Sequence, residues 1–231
     1  SRAILVRVLS SIYSTDMGHL AESSVVCRLG GMLVHCAISR ERLDDASSPC
    51  LTVDFRRRAY ANGEIERNHK RREHHGSDEE MFIATIVERS IRPFFPVDYA
   101  SALSLTLTEH SSDGMVDPVV VCINTASCSL LASSQPWGES VSGSEFNDRT
   151  RIPPGCVRVA VVDGELCLNP TLVDQSRAEL NMLYVGTLYG PLLVQMSGDE
   201  QNQKVISEAL AMAHAAIPEV IENQLDFMRF L

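Results

Sequence analysis

Apolar residues recur at every second position or in short unbroken runs through the first quarter of the chain. The runs fall at 3–9, 24–29, 32–38 and 50–55, and this pattern predicts four strands. Gly30-Gly31 separates the second run from the third and predicts a two-residue hairpin turn. From Ser77 to Arg92 the pattern turns helical, with Ser77 as N-cap, Glu80 completing a capping box and Pro93 closing the helix. A strand follows at 102–109 and runs out in the polar turn Ser111-Ser-Asp-Gly114. Residues 116–132 are apolar and rich in small side chains, which suits a helix buried under a sheet. Serine and glycine dominate 133–155, which is expected to be a long loop, either a binding or contact insert or a disordered stretch. Strands are predicted at 156–162, 165–168, 181–187 and 191–196, the first two joined across Asp163-Gly164. A closing helix is predicted from about 199 to 230, bent at Pro218. Mixed β-sheets packed with helices and ended by a C-terminal helix make an α/β (α+β) sandwich. It is expected to be one domain over 1–231 with a flexible insert around 133–155.

Composition narrows this picture. The chain has 231 residues, 45% of them apolar, and one tryptophan, Trp137, which fits an ordinary α/β core and gives Trp137 a packing role. No run approaches the roughly 18 apolar residues of a membrane helix, so no membrane partner is expected. The start, Ala3-Ile-Leu-Val-Arg-Val-Leu9, is strand-like and lacks a signal-peptide pattern, while a transit peptide removed ahead of residue 1 stays open. Seven cysteines (27, 36, 50, 122, 128, 156 and 167) are irregularly spaced with no C-x-x-C, which points to buried, reduced thiols rather than a zinc site.

The charge distribution carries the chemistry. The formal net charge is -10, yet seven of the 20 Lys+Arg residues lie between Arg56 and Arg72. Arg56, Arg57 and Arg58 open this window, and Lys70, Arg71 and Arg72 close it. Guanidinium forks pair bidentately with phosphate and release its counterions, so the window points to an anionic partner, with a solvated loop as the competing reading. Nearby His69, His74 and His75 are assigned no metal, because neighbouring histidines without a cysteine rarely converge on one ion.

Several segments, in order, resemble the polynucleotide phosphorylase family. They are Leu51-Thr-Val-Asp-Phe-Arg-Arg-Arg-Ala-Tyr-Ala-Asn-Gly63, Glu88-Arg-Ser-Ile-Arg-Pro-Phe-Phe-Pro96, Asp117-Pro118 before an apolar run, Leu168-Asn-Pro-Thr171 and Val185-Gly-Thr187. The resemblance extends from about residue 16 to 225 and is to the first of that family's two ribonuclease PH-like core domains. The resemblance implies a ribonuclease PH-type fold in a ring that shortens RNA from its 3′ end by phosphate attack.

It also locates departures. The family's catalytic residues, in its second core domain, are a serine pair that binds phosphate at a helix start and two aspartates that hold a divalent metal. At the corresponding positions this chain has Asn124-Thr-Ala-Ser127, Val173 and Glu179, which leaves Thr125 and Ser127 as weak phosphate candidates and Asp174 with Glu179 as weak catalytic ones. Where the family carries Phe-Phe-Arg-Arg to grip single-stranded RNA, this chain has His69-Lys70-Arg71-Arg72. Both arginines are kept and both stacking rings are lost, which changes a stacking clamp toward an electrostatic one.

The resemblance therefore leads to the expectation of a non-catalytic RNA-binding or scaffolding subunit of a larger RNA-processing or ribonucleoprotein assembly. The alternative is the first core domain of an active phosphate-dependent 3′-to-5′ exoribonuclease, in which case Mg²⁺ and inorganic phosphate would be required. RNA-binding candidates are His69, Lys70, Arg71, Arg72, Arg56, Arg57 and Arg58. The expected partners are single-stranded RNA and a second ribonuclease PH-like domain, or other subunits, covering an apolar exposed sheet face. A mitochondrial or other organellar matrix is the expected compartment, with the cytoplasm as the alternative.

Overall fold

A computed structural model describes residues 5–6, 11–15, 17–42, 51–65, 76–96, 99, 101–140 and 151–231. The first half of the chain builds β1 (Leu5–Val6), β2 (Ile12–Ser14), β3 (Ser23–Leu29), β4 (Met32–Arg42) and β5 (Leu51–Arg57). Helix α1 (Asp78–Ile91), β6 (Ser101–Ser111) and α2 (Pro118–Ala132) follow. The second half adds β7 (Glu139–Ser140), β8 (Arg151–Ile152), β9 (Gly155–Val162), β10 (Glu165–Leu168), α3 (Leu172–Ser176), β11 (Leu180–Thr187), β12 (Gly190–Gly198) and α4 (Gln203–Phe230).

The strands form two five-stranded sheets, ordered β2-β3-β4-β6-β5 and β1-β10-β9-β11-β12, and a small β7-β8 ribbon. Pairing is antiparallel except for β5 on β6 and β1 on β10. The two hairpins follow their turn chemistry. Leu29 pairs with Met32 across Gly30-Gly31, and Val162 pairs with Glu165 across Asp163-Gly164. Asp163 and Gly164 both take positive φ (52° and 76°), as the tight turn between twisted strands requires.

Helix α2 packs on β3 and β4 of one sheet and on β9 of the other, and all but its last residue is buried. That explains its uniform run of apolar and small residues: no face meets water. Cys156, Leu183 and Val185 of the second sheet share one apolar cluster with Val34, Cys36, Leu105 and Ile123. On the far side, Ala209, Ala213, Ile217 and Ile221 recur every four residues along α4 and close over Val157, Val159, Val161 and Met182. Helix α4 is continuous through Pro218, which lies on the solvent side.

Helix α1 carries the expected capping box. Glu80 N donates to Ser77 Oγ at 3.2 Å, and Ser77 N donates to Glu80 Oε2 at 2.6 Å. Of the expected insert 133–155, residues 141–150 lie outside the described residues, and its two described ends are packed. Trp137 is fully buried, and its indole N–H donates to Ile91 O at 2.9 Å. Arg151, also buried, donates to the carbonyls of Gln135 (2.6 Å), Leu131 and Ser133 (both 3.3 Å), while β7 pairs with β8. One ring and one guanidinium thus fasten the two described ends of this segment.

Candidate nucleic-acid interface

Strand β5 carries the first cations of the basic window to the rim of its sheet. The structure divides them. Arg57 Nε donates to Glu109 Oε2 at 3.0 Å, and its Nη1 and Nη2 donate to Glu79 at 3.1 and 3.2 Å. The Glu109 side chain is 1% exposed, so Arg57 is the counter-ion of a buried carboxylate and its fork is committed inside the protein. This engagement leaves little of the fork for the RNA contact expected of Arg57. Arg56 donates to Asp54 Oδ2 at 3.0 Å across a partly exposed pair that competes weakly with an outside anion. Its Nη1 lies 3.1 Å from where a Cβ on Gly76 would stand, so the Arg56 guanidinium sits at the point where the chain re-enters α1.

Arg58 follows the strand and lies close enough to His110 for its charge to matter. Burial, with the Arg58 charge second, lowers the His110 pKa below the ordinary histidine value. Burial and then His110 do the same to His35. His35 Nε2 is 2.8 Å from Ser24 Oγ, and His110 Nδ1 is 2.9 Å from Tyr60 Oη. The Tyr60 ring stacks near His110, with centroids 6.3 Å apart at 27°, yet Tyr60 stays 58% exposed. An exposed, tethered aromatic two residues past Arg58 is a platform on which a base can stack. The charge-led reading missed it, although the Tyr-Ala step was visible beside the arginines. His69, Lys70, Arg71 and Arg72 lie outside the described residues.

The remaining candidates do not come together. Thr125 and Ser127 are fully buried midway along α2, where Thr125 Oγ1 donates to Val121 O (2.6 Å) and Ser127 Oγ to Pro154 O (3.0 Å). They stand well beyond the helix start and reach no solvent, so their assignment to phosphate is corrected. Asp174 Oδ2 accepts from Thr171 N (3.2 Å) and Thr171 Oγ1 (2.7 Å), closing the capping box of α3. Glu179 is exposed at the entry of β11, its N–H bonded to Val161 O at 2.9 Å. Among the described residues no three His, Cys, Asp or Glu side chains gather at a point that could hold a metal ion. Among the described residues, Asp174 and Glu179 thus have no third ligand gathered beside them for Mg²⁺.

The start of α2 is occupied by the chain's own groups. Its N-cap is Asp117, whose Oδ1 accepts from Val119 N at 3.0 Å, and the first helical residue is Pro118, which has no N–H. Asp117 Oδ2 also accepts from Arg158 Nε, and Arg158 Nη1 donates to Asn181 Oδ1 at 2.9 Å. The positive end of the helix is thus neutralised by the chain's own carboxylate, and the adjacent arginine is spent on that carboxylate. The cavity alongside measures about 60 Å³ and is lined mainly by apolar groups such as Leu29, Val116 and Val120.

Comparison with known proteins agrees with the fold. The profile of the 3′ exoribonuclease family, domain 1, matches residues 11–136, and that of domain 2 matches residues 153–216. The polyribonucleotide nucleotidyltransferase of Aquifex aeolicus is 34% identical over 207 residues, covering 89% of this chain and 25% of that protein. That of Persephonella marina is 30% identical over 216 residues, 91% of this chain and 29% of that protein. The mitochondrial polyribonucleotide nucleotidyltransferase 2 of Arabidopsis thaliana is 29% identical over 175 residues, 76% of this chain and 16% of that protein. The chain thus spans less than a third of the length of each of these relatives.

Proposed function

Because the chain belongs to the 3′ exoribonuclease (RNase PH) family, with polynucleotide phosphorylase-like sequence, we propose that it is a non-catalytic member that holds single-stranded RNA. In this reading it is a subunit of a larger RNA-processing or ribonucleoprotein assembly. The observation that carries the reading is the start of α2: a capping Asp117 paired with Arg158 stands where a free helix start would have to receive phosphate. Asp174 is engaged in a cap and Glu179 is exposed at a strand entry, so neither supports a metal.

RNA is held by charge with one stacking contact. Arg56 and Arg58 flank the base of the basic window, Tyr60 offers its ring, and His69, Lys70, Arg71 and Arg72 supply further contacts to phosphate. Subunits dock on the edge of the second sheet, where Leu188, Tyr189, Leu192 and Met196 are exposed on and beside β12. Among the described residues no helix is long and apolar enough to cross a membrane. The plant relatives from Arabidopsis thaliana and Oryza sativa are named as mitochondrial, which supports an organellar matrix as the compartment.

The test is filter retention of an end-labelled single-stranded RNA across a salt series. Affinity should fall with salt, and Arg71→Ala with Arg72→Ala should flatten the slope by roughly 0.7 for each phosphate interaction removed. An affinity that ignores both salt and these substitutions would refute RNA binding through this window.

A further inference from the structure

Strand β6 carries a β-bulge near the end of its pairing with β4. Leu33 faces Ser111 and Val34 faces Glu109, so His110 is the extra residue. Glu109 is committed to Arg57, whereas the His110 ring neighbours two other rings. Its centroid is 5.9 Å from that of His35 and 6.3 Å from that of Tyr60. His110 Nδ1 lies 2.9 Å from Tyr60 Oη, while Nε2 is enclosed with no partner among the described residues. His110 thus shares its ring hydrogen bond, through Nδ1, with a side chain that is 58% exposed.

That bond has two forms. When Nδ1 is bare, the Tyr60 hydroxyl donates to it. When Nδ1 is protonated, its N–H donates to Tyr60 Oη and the phenol proton turns elsewhere. The titratable and charged groups around the ring set the balance. Among the described residues they are His35 on β4, Arg58 and Tyr60 beyond β5, and Glu109 within β6, which already pairs with Arg57. Ser24 Oγ donates to Met17 O, so its 2.8 Å bond to His35 is made by a proton on His35 Nε2. A second proton on His35 would set two imidazolium rings 5.9 Å apart, so the pair takes up one. Enclosure first, and the Arg58 charge second, keep His110 below the ordinary 6.5 in the free chain. A phosphodiester beside Arg58 offsets that charge and gives the imidazolium a counter-ion. We propose that RNA bound on the Tyr60 ring takes up one proton from solvent, held at His110 Nδ1, while Tyr60 Oη donates to a phosphate. This rests on the reading of Tyr60 as an RNA contact and adds to it a bond that only the acid form of the platform makes.

The test follows the His110 ring protons by NMR through a pH titration of the whole chain, alone and saturated with an octamer of uridylate. His110→Gln identifies the signal. The midpoint of the free chain is expected below 6.5. With RNA it should rise by about one pH unit, equivalent to about tenfold tighter binding of the protonated form. Tyr60→Phe keeps the ring for stacking but removes the hydroxyl, and RNA should then move the His110 midpoint much less. The signal comes from a single ring, so protonation of His69, His74 and His75 in the basic window does not enter it. A midpoint unmoved by RNA, or an equal rise in Tyr60→Phe, would overturn the proposal while RNA binding itself stands. Absence of RNA binding at every pH would overturn both.

Discussion

Replacing Asp117 by alanine removes a helix cap and a buried counter-ion in one step. The carboxylate side chain is 8% exposed and that of Arg158 is 14% exposed, so water can replace little of what is lost. Loss of an N-cap costs about 0.5–2 kcal/mol. Leaving a buried guanidinium without its partner costs about 3–5 kcal/mol. One side chain serves both roles, so the two effects overlap, and the expected loss is about 3–5 kcal/mol rather than their sum. Asp117→Asn keeps an oxygen for Val119 N but drops the charge, and should recover only the cap. Asp117→Ala/Arg158→Met removes the stranded charge as well and should be more stable than Asp117→Ala alone. The assay is urea unfolding followed by circular dichroism and tryptophan fluorescence, comparing midpoints at unchanged slope. A loss for Asp117→Ala within about 1 kcal/mol, the range of an exposed pair, would refute the buried pair and with it the closure of the α2 start to phosphate.

Other substitutions separate the arginines from the ring beside them. Arg57→Ala strands Glu109 and should lower stability by about 3–5 kcal/mol, read by urea unfolding. Tyr60→Ala should leave stability nearly unchanged but weaken single-stranded RNA binding by about 1–3 kcal/mol at constant salt slope, read by filter retention. Burial raises the thiol pKa of Cys27 to about 11 and of Cys36 to about 12 from the ordinary thiol value of 9.0. Their stabilising effect is thus complete below the ordinary value and lost as pH rises through the folded values, and alkylation of the native chain at mild pH should spare both. His35 and His110 have folded pKa values below 6.5. Their contribution is present above 6.5 and lost as pH falls through the folded values, so thermal midpoints should drop on acidification, less so in His110→Asn.

Much of the fold was legible because its signals are local. Ser77 with Glu80, Gly30-Gly31 and Asp163-Gly164 each fix a cap or a turn within a few residues, and the structure has all three. The missed features depend on partners far apart in sequence. The pair of Arg57 with Glu109 spans 52 residues, and Arg151 binds carbonyls 16 to 20 residues earlier. Composition shows neither. Two local signals that bear on the weak candidates Asp174, Thr125 and Ser127 were present in the sequence but outweighed. Thr171-Leu-Val-Asp174 has the spacing of a capping box, and Asp117-Pro118 has the N-cap and first-turn proline of a helix start, which places Thr125 and Ser127 too far along α2 to meet an anion.

Whether the chain holds RNA without cleaving it is decided by incubating the purified protein with 3′-labelled single-stranded RNA, Mg²⁺ and inorganic phosphate. Nucleoside diphosphate release is measured beside filter retention. Salt-sensitive retention of RNA with no release is expected. Release that disappears in Asp174→Ala/Glu179→Ala would overturn the non-catalytic assignment and make this domain a phosphorolytic enzyme.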